Sequence, residues 1–230
     1  MFNIKIDRVQ LENLFDFELA WKSLPYLLEG IPVTLSVSII GMLLGLLLGF
    51  ILSLARSSKR ILLRWPARIY ISFMRGTPII VFLFILYFGL PVIGLNLSAI
   101  LAASLAFGLN SAAYIAEINR SSLSSIDQGQ WESAKALNLS YWQTMHKIIL
   151  PQATRIALPP LTNVFMSIVQ STSLAAVITV PELFQKAQIV AGRTFDSMTM
   201  YILVALIYWP ICIVIGFMQN RLESRFSRFL

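Results

Sequence analysis

Apolar residues in this chain come in long unbroken runs, not at the three-to-four spacing of a helix with one wet face. A helix needs roughly 20 such residues to cross about 30 Å of hydrocarbon. Runs of that length fall at 32–55, 69–92, 97–117, 157–181 and 198–220. They predict an all-α integral membrane protein, a bundle of five transmembrane helices in a single domain over 1–230. Pro159 and Pro160 are expected to open the fourth span, where a missing amide costs least, while Pro78 and Pro210 predict kinks. Gly41, Gly45 and Gly49 repeat every fourth residue and leave a bare backbone stripe along the first span. That stripe is expected to let another helix of the same chain approach closely, a seam between two copies being the alternative.

Two stretches break the apolar pattern. In residues 1–31, Leu11, Leu14, Phe15, Leu19, Leu24 and Leu27 alternate with charges and predict an amphipathic segment along the membrane surface. A basic start followed by a short apolar core is lacking, so a cleaved signal peptide is not expected there. Residues 120–152 are mostly polar and sit between two spans, so this is where a partner outside the bilayer should dock.

Composition supports the membrane class: 57% of residues are hydrophobic and 13% charged, against about 25% charged in a soluble domain. The net charge of +7 does not predict nucleic-acid binding, because the cations flank apolar runs and are not interleaved with exposed aromatics. Their partner is membrane lipid. Arg56, Lys59, Arg60, Arg64 and Arg68 follow the first span, Arg120, Lys135, Lys147 and Arg155 the third, and Arg221, Arg225 and Arg228 the fifth. The other side receives Lys5, Arg8, Lys22, Lys186 and Arg193, diluted by carboxylates. The positive-inside rule then puts the N-terminus outside, and the C-terminus and the polar loop in the cytoplasm. Cys212 lies in an apolar run and His146 stands alone, so neither a disulfide nor a metal site is expected. Trp21, Trp65 and Trp209 suit interfacial anchoring, and Trp131 and Trp142 are expected to pack the polar loop together.

The polar loop carries a pattern. It reads Asp127-Gln128-Gly129-Gln130-Trp131-Glu132-Ser133-Ala134, then Asn138, Ser140 and Ile148-Ile149-Leu150-Pro151. This resembles the EAA loop of ABC importer permeases, in which a short coupling helix fits a groove of the ATPase subunit. Ser133 stands where the family has Ala, and Asn138 where it has Gly. Asn is the next-best residue for a left-handed turn, so the turn is expected to survive. Ser140 suits the cap of a second helix, and Glu132 can offer a charge to the partner. The resemblance places ATPase coupling on Gly129, Glu132, Ser133, Ala134, Asn138 and Pro151.

Further stretches, Arg75-Gly76-Thr77-Pro78, Ala113-Tyr114-Ile115-Ala116-Glu117 and Ser173-Leu174-Ala175, are similar to permeases for polar amino acids. Tyr70 to Gly76 and Val180-Pro181-Glu182-Leu183-Phe184 look most like those for L-cystine. The fold this implies is the type I ABC importer (MetI-like) bundle. The partners implied are two ABC ATPase subunits, an extracytoplasmic solute-binding protein and a second permease subunit, identical or related. ATP and magnesium would sit on the ATPase, with no cofactor and no catalytic residue on this chain.

Arg75 and Glu117 are the ionisable residues expected within the spans, and intramembrane charges are functional candidates. Arg75 is expected to meet a substrate carboxylate and Glu117 its ammonium; the alternatives are an Arg75–Glu117 ion pair, or an Arg75 that braces the chain break. Asn110, Tyr114 and Glu117 share one helix face, as do Asn163, Ser167 and Gln170, and Thr77 and Ser171 complete the expected pathway. Two other functions stay open: a transporter driven by an ion gradient, and a scaffold that recruits a soluble partner through residues 120–150.

Overall fold

The computed structural model describes residues 14–227. Leu11 and the cations Lys5, Arg8 and Arg228 lie outside them. Helix α1 (Phe17–Leu28) leads into α2 (Ile31–Ser57), α3 (Ile61–Gly76) and α4 (Ile79–Phe84), which runs on through a π turn to Gly89 and a 3-10 turn to Ile93. Then come α5 (Ala99–Ser124), α6 (Gln128–Ala136), α7 (Tyr141–Thr144), a π turn to Ile149, and α8 (Leu150–Ser171) with a 3-10 extension to Ile178. α9 (Leu183–Thr194) and α10 (Ser197–Ser227) close the chain. Among the described residues, four helical runs are long and apolar enough to cross a membrane, and a fifth is obtained if α3 and α4 form one broken span.

α5 is the axis of the bundle. It packs on α2, α3, α4 and α8, and most of one side is alanine, glycine or serine: Ala102, Ala103, Ala106, Gly108, Ser111, Ala112, Ala113 and Ala116 are buried. Without a hydrophobic force between helices in lipid, such small residues let backbones come close enough for dispersion and packing to hold them. The glycine stripe of α2 lies on this side of α5, within the chain. A Cβ at Gly45 would meet Ser111 Oγ, and one at Gly49 would fall 2.7 Å from Ile115 Cγ2 and 2.9 Å from the Ala112 carbonyl oxygen. Gly49→Leu is therefore expected to force α2 off α5 and lower stability by about 1–3 kcal/mol or more. Gly192→Ala, with no atom within 4 Å of the new Cβ, should be tolerated. Thermal unfolding of the two purified variants in one detergent checks the contrast.

The second predicted span is not one straight helix. α3 and α4 meet at 104°, with Thr77 and Pro78 extended between them. Pro78 has no amide to offer the Met74 carbonyl one turn back. Asn110 of α5 replaces it, its Nδ2 donating to Met74 O at 2.7 Å, and Tyr70 Oη donates to Leu109 O at 2.8 Å. A broken helix is viable at membrane depth when neighbours satisfy the freed backbone in this way.

Pro159 and Pro160 correct the sequence expectation. They lie inside α8, not at its start, because the helix already begins within the polar loop. Pro210 likewise lies inside α10. In the N-terminal segment, α1 packs against α9 and α10, with Ala20 and Leu27 buried beside Leu183, Ala187 and Met200, while Phe17 and Trp21 stay exposed.

Where the α1–α2 corner meets α9, Glu182 is fully buried. Its Oε1 accepts from the Gln185 amide at 2.6 Å and its Oε2 from Tyr208 Oη at 2.8 Å, while Tyr208 Oη also lies 3.2 Å from Thr172 Oγ1. A Cβ at Gly30 would come within 2.6 Å of the Leu183 nitrogen, so only glycine lets this corner close. Burial pushes the Glu182 carboxyl above its ordinary range, against the opposing pull of its hydrogen bonds. A carboxyl raised in the folded state contributes stability that is full below its unfolded value of about 4.3 and is lost as pH rises through the folded value. Glu182→Gln is expected to flatten this part of the pH profile of thermal unfolding. Parallel profiles for the two proteins would count against it.

Candidate functional site

Two regions gather the residues singled out by sequence. The first is a cavity of about 670 Å³ at the α3–α4 break. α3 and the break contribute Arg75, Gly76, Thr77, Pro78 and Ile79, α5 contributes Phe107, Asn110, Ser111 and Tyr114, and α8 contributes Pro160, Asn163, Val164, Ser167, Ile168 and Ser171. The α5 and α8 positions recur at three- and four-residue spacing, so each helix turns one continuous stripe toward the cavity. The volume lies within the roughly 300–1,000 Å³ of small-molecule sites.

Arg75 is the one charged residue of the lining. Its Cζ lies 5.4 Å from the Tyr114 ring centroid, a cation–π contact that orients the guanidinium without neutralising it. Among the described residues it pairs with no carboxylate. Thr77, Asn163, Ser167 and Ser171 likewise make no side-chain hydrogen bond within the described chain. Ser111 instead bonds back to the Gly108 carbonyl, and Asn110 is committed to Met74. The cavity therefore presents a free guanidinium fork together with free hydroxyls and an amide, a set suited to a small polar molecule that carries a carboxylate.

Two predicted pathway residues do not line it. Glu117 lies further along α5, 2.8 Å from Arg56 Nη1 as an ion pair off the hydrogen-bond axis, and it accepts from Arg120 Nη2 at 3.2 Å. It pairs with neither Arg75 nor the cavity, because the end of α2 brings a closer cation. Gln170 points from α8 toward Cys212, donating to its Sγ at 3.7 Å. Ser171, one residue on, continues the stripe of Asn163 and Ser167. Sequence reading missed Phe107, Pro160, Val164 and Ile168, the cavity's apolar walls, which look like any span residue until the fold selects their face.

The second region is the loop. Asp127 caps α6 by accepting from the Gly129 amide at 2.6 Å, and a Cβ on Gly129 would crowd that carboxylate at 2.8 Å. α6 buries Ala134 and exposes Glu132 and Ser133. It ends on Asn138 at φ 55°, with Asn138 N–H donating to Lys135 O at 3.0 Å and Leu139 N–H to Ala134 O at 3.1 Å. These two bonds form a Schellman turn with Asn in the position that glycine usually fills. Ser140 then caps α7 in a reciprocal capping box with Gln143, and Pro151 falls in the first turn of α8.

Trp131 anchors this loop, packing on the small core of Ile126, Ile149 and Ala153 and stacking on Tyr141 at 5.9 Å. Trp142 does not pack inward as expected. It is 69% exposed and stacks on exposed His146 at 5.8 Å. With Leu137 at 72% and Tyr141 at 62% exposure, the loop presents an apolar and aromatic surface beside the Glu132 carboxylate. No group of His, Cys, Asp or Glu that could hold a metal occurs among the described residues.

Comparison with known proteins follows the same lines. Residues 23–228 match the family described as binding-protein-dependent transport system inner membrane component. The chain is 58% identical over 225 residues to the probable amino-acid ABC transporter permease protein YckA of Bacillus subtilis (strain 168), covering 98% of this chain and 100% of that protein. It is 38% identical over 232 residues to the L-cystine transport system permease protein TcyB of the same organism, covering 100% of this chain and 99% of the relative. A crystal structure of an amino acid ABC transporter with histidines shares the fold with a TM-score of 0.87 at 31% identity, over 91% of this chain and 98% of that one. The chain thus belongs to the inner membrane components of binding-protein-dependent transport systems: it is a multi-pass permease subunit of an ABC importer in a bacterial plasma membrane, and not the subunit that hydrolyses ATP.

Proposed function

We propose that this permease carries a polar amino acid, L-cystine above others, through the cavity at the α3–α4 break. The observation that carries this is the unpaired Arg75 guanidinium in a cavity lined by free hydroxyls. Amino acids are the cargo named for its relatives, L-cystine for one of them. Arg75 takes the carboxylate in a bidentate grip, and Thr77, Asn163, Ser167 and Ser171 hydrogen-bond the remainder of the substrate.

The N-terminus lies outside and the loop of α6 and α7 in the cytoplasm, in keeping with the cations after α2, α5 and α10. Two such permease subunits form the pathway, each docking one ATPase through its loop, and a solute-binding protein delivers cargo from outside. ATP and magnesium act on the ATPases. Their closure moves the paired α6 helices as levers, and rigid tilting of the spans alternates access between the two sides.

Uptake of radiolabelled cystine into proteoliposomes that hold the permease, its ATPase and its binding protein tests this. ATP-dependent uptake displaced best by unlabelled cystine is expected. Displacement by another amino acid would move the substrate, and ATP-independent uptake would favour a gradient-driven carrier.

A further inference from the structure

Among the described residues, the cavity is lined by one cation and no anion. Arg75 is its one charged lining residue, and the carboxylate that sequence placed nearby, Glu117, is held by Arg56 and Arg120. Gln170 is neutral and reaches Cys212. We infer that this permease discriminates its cargo by side-chain charge within the membrane, accepting neutral and acidic amino acids and rejecting cationic ones. The inference rests on the assignment of this cavity to the substrate.

The charges of the cargo can be matched one by one. The α-carboxylate has Arg75. The α-ammonium has the C-terminal end of α3, a 16-residue helix that stops at the Thr77–Pro78 break, where Asn110 takes the Met74 carbonyl and the later carbonyls of the last turn have no helical amide after them; the negative end of a helix dipole favours a cation, and broken membrane helices use such ends for this purpose. A neutral side chain then needs only the hydroxyls and amide of α8, and the second half of cystine, a zwitterion whose ammonium is offset by its own carboxylate, adds no net cation. An acidic side chain shares the guanidinium. A lysine or arginine side chain brings a second cation into a cavity that already holds one. At about 6–8 Å separation and an effective dielectric near 20, that repulsion costs roughly 30- to 100-fold in affinity.

The binding protein has its own selectivity, so the test omits it. The permease–ATPase complex in nanodiscs is assayed by equilibrium binding of radiolabelled cystine, glutamine, glutamate, lysine and arginine. Cystine, glutamine or glutamate should bind at least about tenfold more tightly than lysine and arginine. Ser171→Asp, which adds a carboxylate to the lining, should narrow or invert that ratio, and Ser171→Asn, of the same size and uncharged, should leave it in place. Lysine or arginine binding to the native complex as tightly as the neutral amino acids would overturn the inference, as would equal effects of the two Ser171 variants. Both of those results leave the cavity as the substrate site. If no amino acid of any charge binds, and Arg75→Ala behaves as the native complex does, the substrate site itself is overturned, and charge selection with it.

Discussion

Arg75→Ala is expected to lower ATP-dependent amino-acid uptake by roughly 10- to 100-fold at substrate concentrations below KM, in a complex that still assembles. A hydrogen bond to a charged group is worth about 1.5–3 kcal/mol, and each 1.4 kcal/mol is about tenfold. The loss should fall on transport because Arg75 has little structural work to do. It pairs with no carboxylate among the described residues, so its removal strands no buried anion. The backbone break beside it is braced by Asn110, which already satisfies the Met74 carbonyl. The cation–π contact with Tyr114 is worth roughly 0.5–1 kcal/mol at an exposed site, too little to unfold the bundle. Arg75→Lys keeps the charge and loses the planar fork, so it should fall between the two. Initial uptake rates, with basal ATP hydrolysis as the assembly control, measure this. Undiminished uptake in an assembled Arg75→Ala complex would remove Arg75 from the substrate path.

Glu132→Lys should abolish coupled transport while leaving the bundle folded. Glu132 is exposed on α6, and its carboxylate meets no partner among the described residues. The turn it stands on is held by other groups: the Asp127 cap, the Asn138 Schellman turn and the inward Trp131. Reversing its charge therefore costs the isolated chain almost nothing, yet like charges brought together across an interface cost several kcal/mol. The ATPase should either fail to co-purify or hydrolyse ATP without moving substrate. Co-purification and the ratio of uptake to hydrolysis read the two outcomes. A normal ratio in Glu132→Lys would refute the coupling role. Trp142, Tyr141 and Leu137 are the apolar part of the same surface, and large exposed aromatics on a polar loop are what a partner's groove would bury.

Much of this molecule is legible in its sequence because the decisive forces are local or set by the bilayer. A run of about 20 apolar residues leaves the backbone few choices in hydrocarbon. The loop is legible for a different reason. Caps and turns close within three to five residues, so Asp127, Asn138 and Ser140 act on atoms whose positions the chain itself supplies. The glycine stripe shows in sequence as a bare helix face, and the structure supplies α5 as the small-residue helix that receives it.

Partner choice between distant residues was settled by tertiary structure alone. Glu117 shares a helical face with Asn110 and Tyr114, and spacing cannot show that the end of α2 brings Arg56 to within 2.8 Å of it. Gln170 and Ser171 are equally polar neighbours; the placement of α10, with Cys212 on it, sends one away from the cavity and leaves the other in it. Pro78 announces a break, but the 104° bend and the amide of Asn110 that makes it tolerable come from another helix. The sequence by itself therefore determined the class, the long apolar runs, the caps and turn of the polar loop and the polar residues present on α3, α5 and α8. Only the packing of α3, α5 and α8 decided which of those groups face one another, because a helical period sets direction around an axis and says nothing of which neighbour lies there.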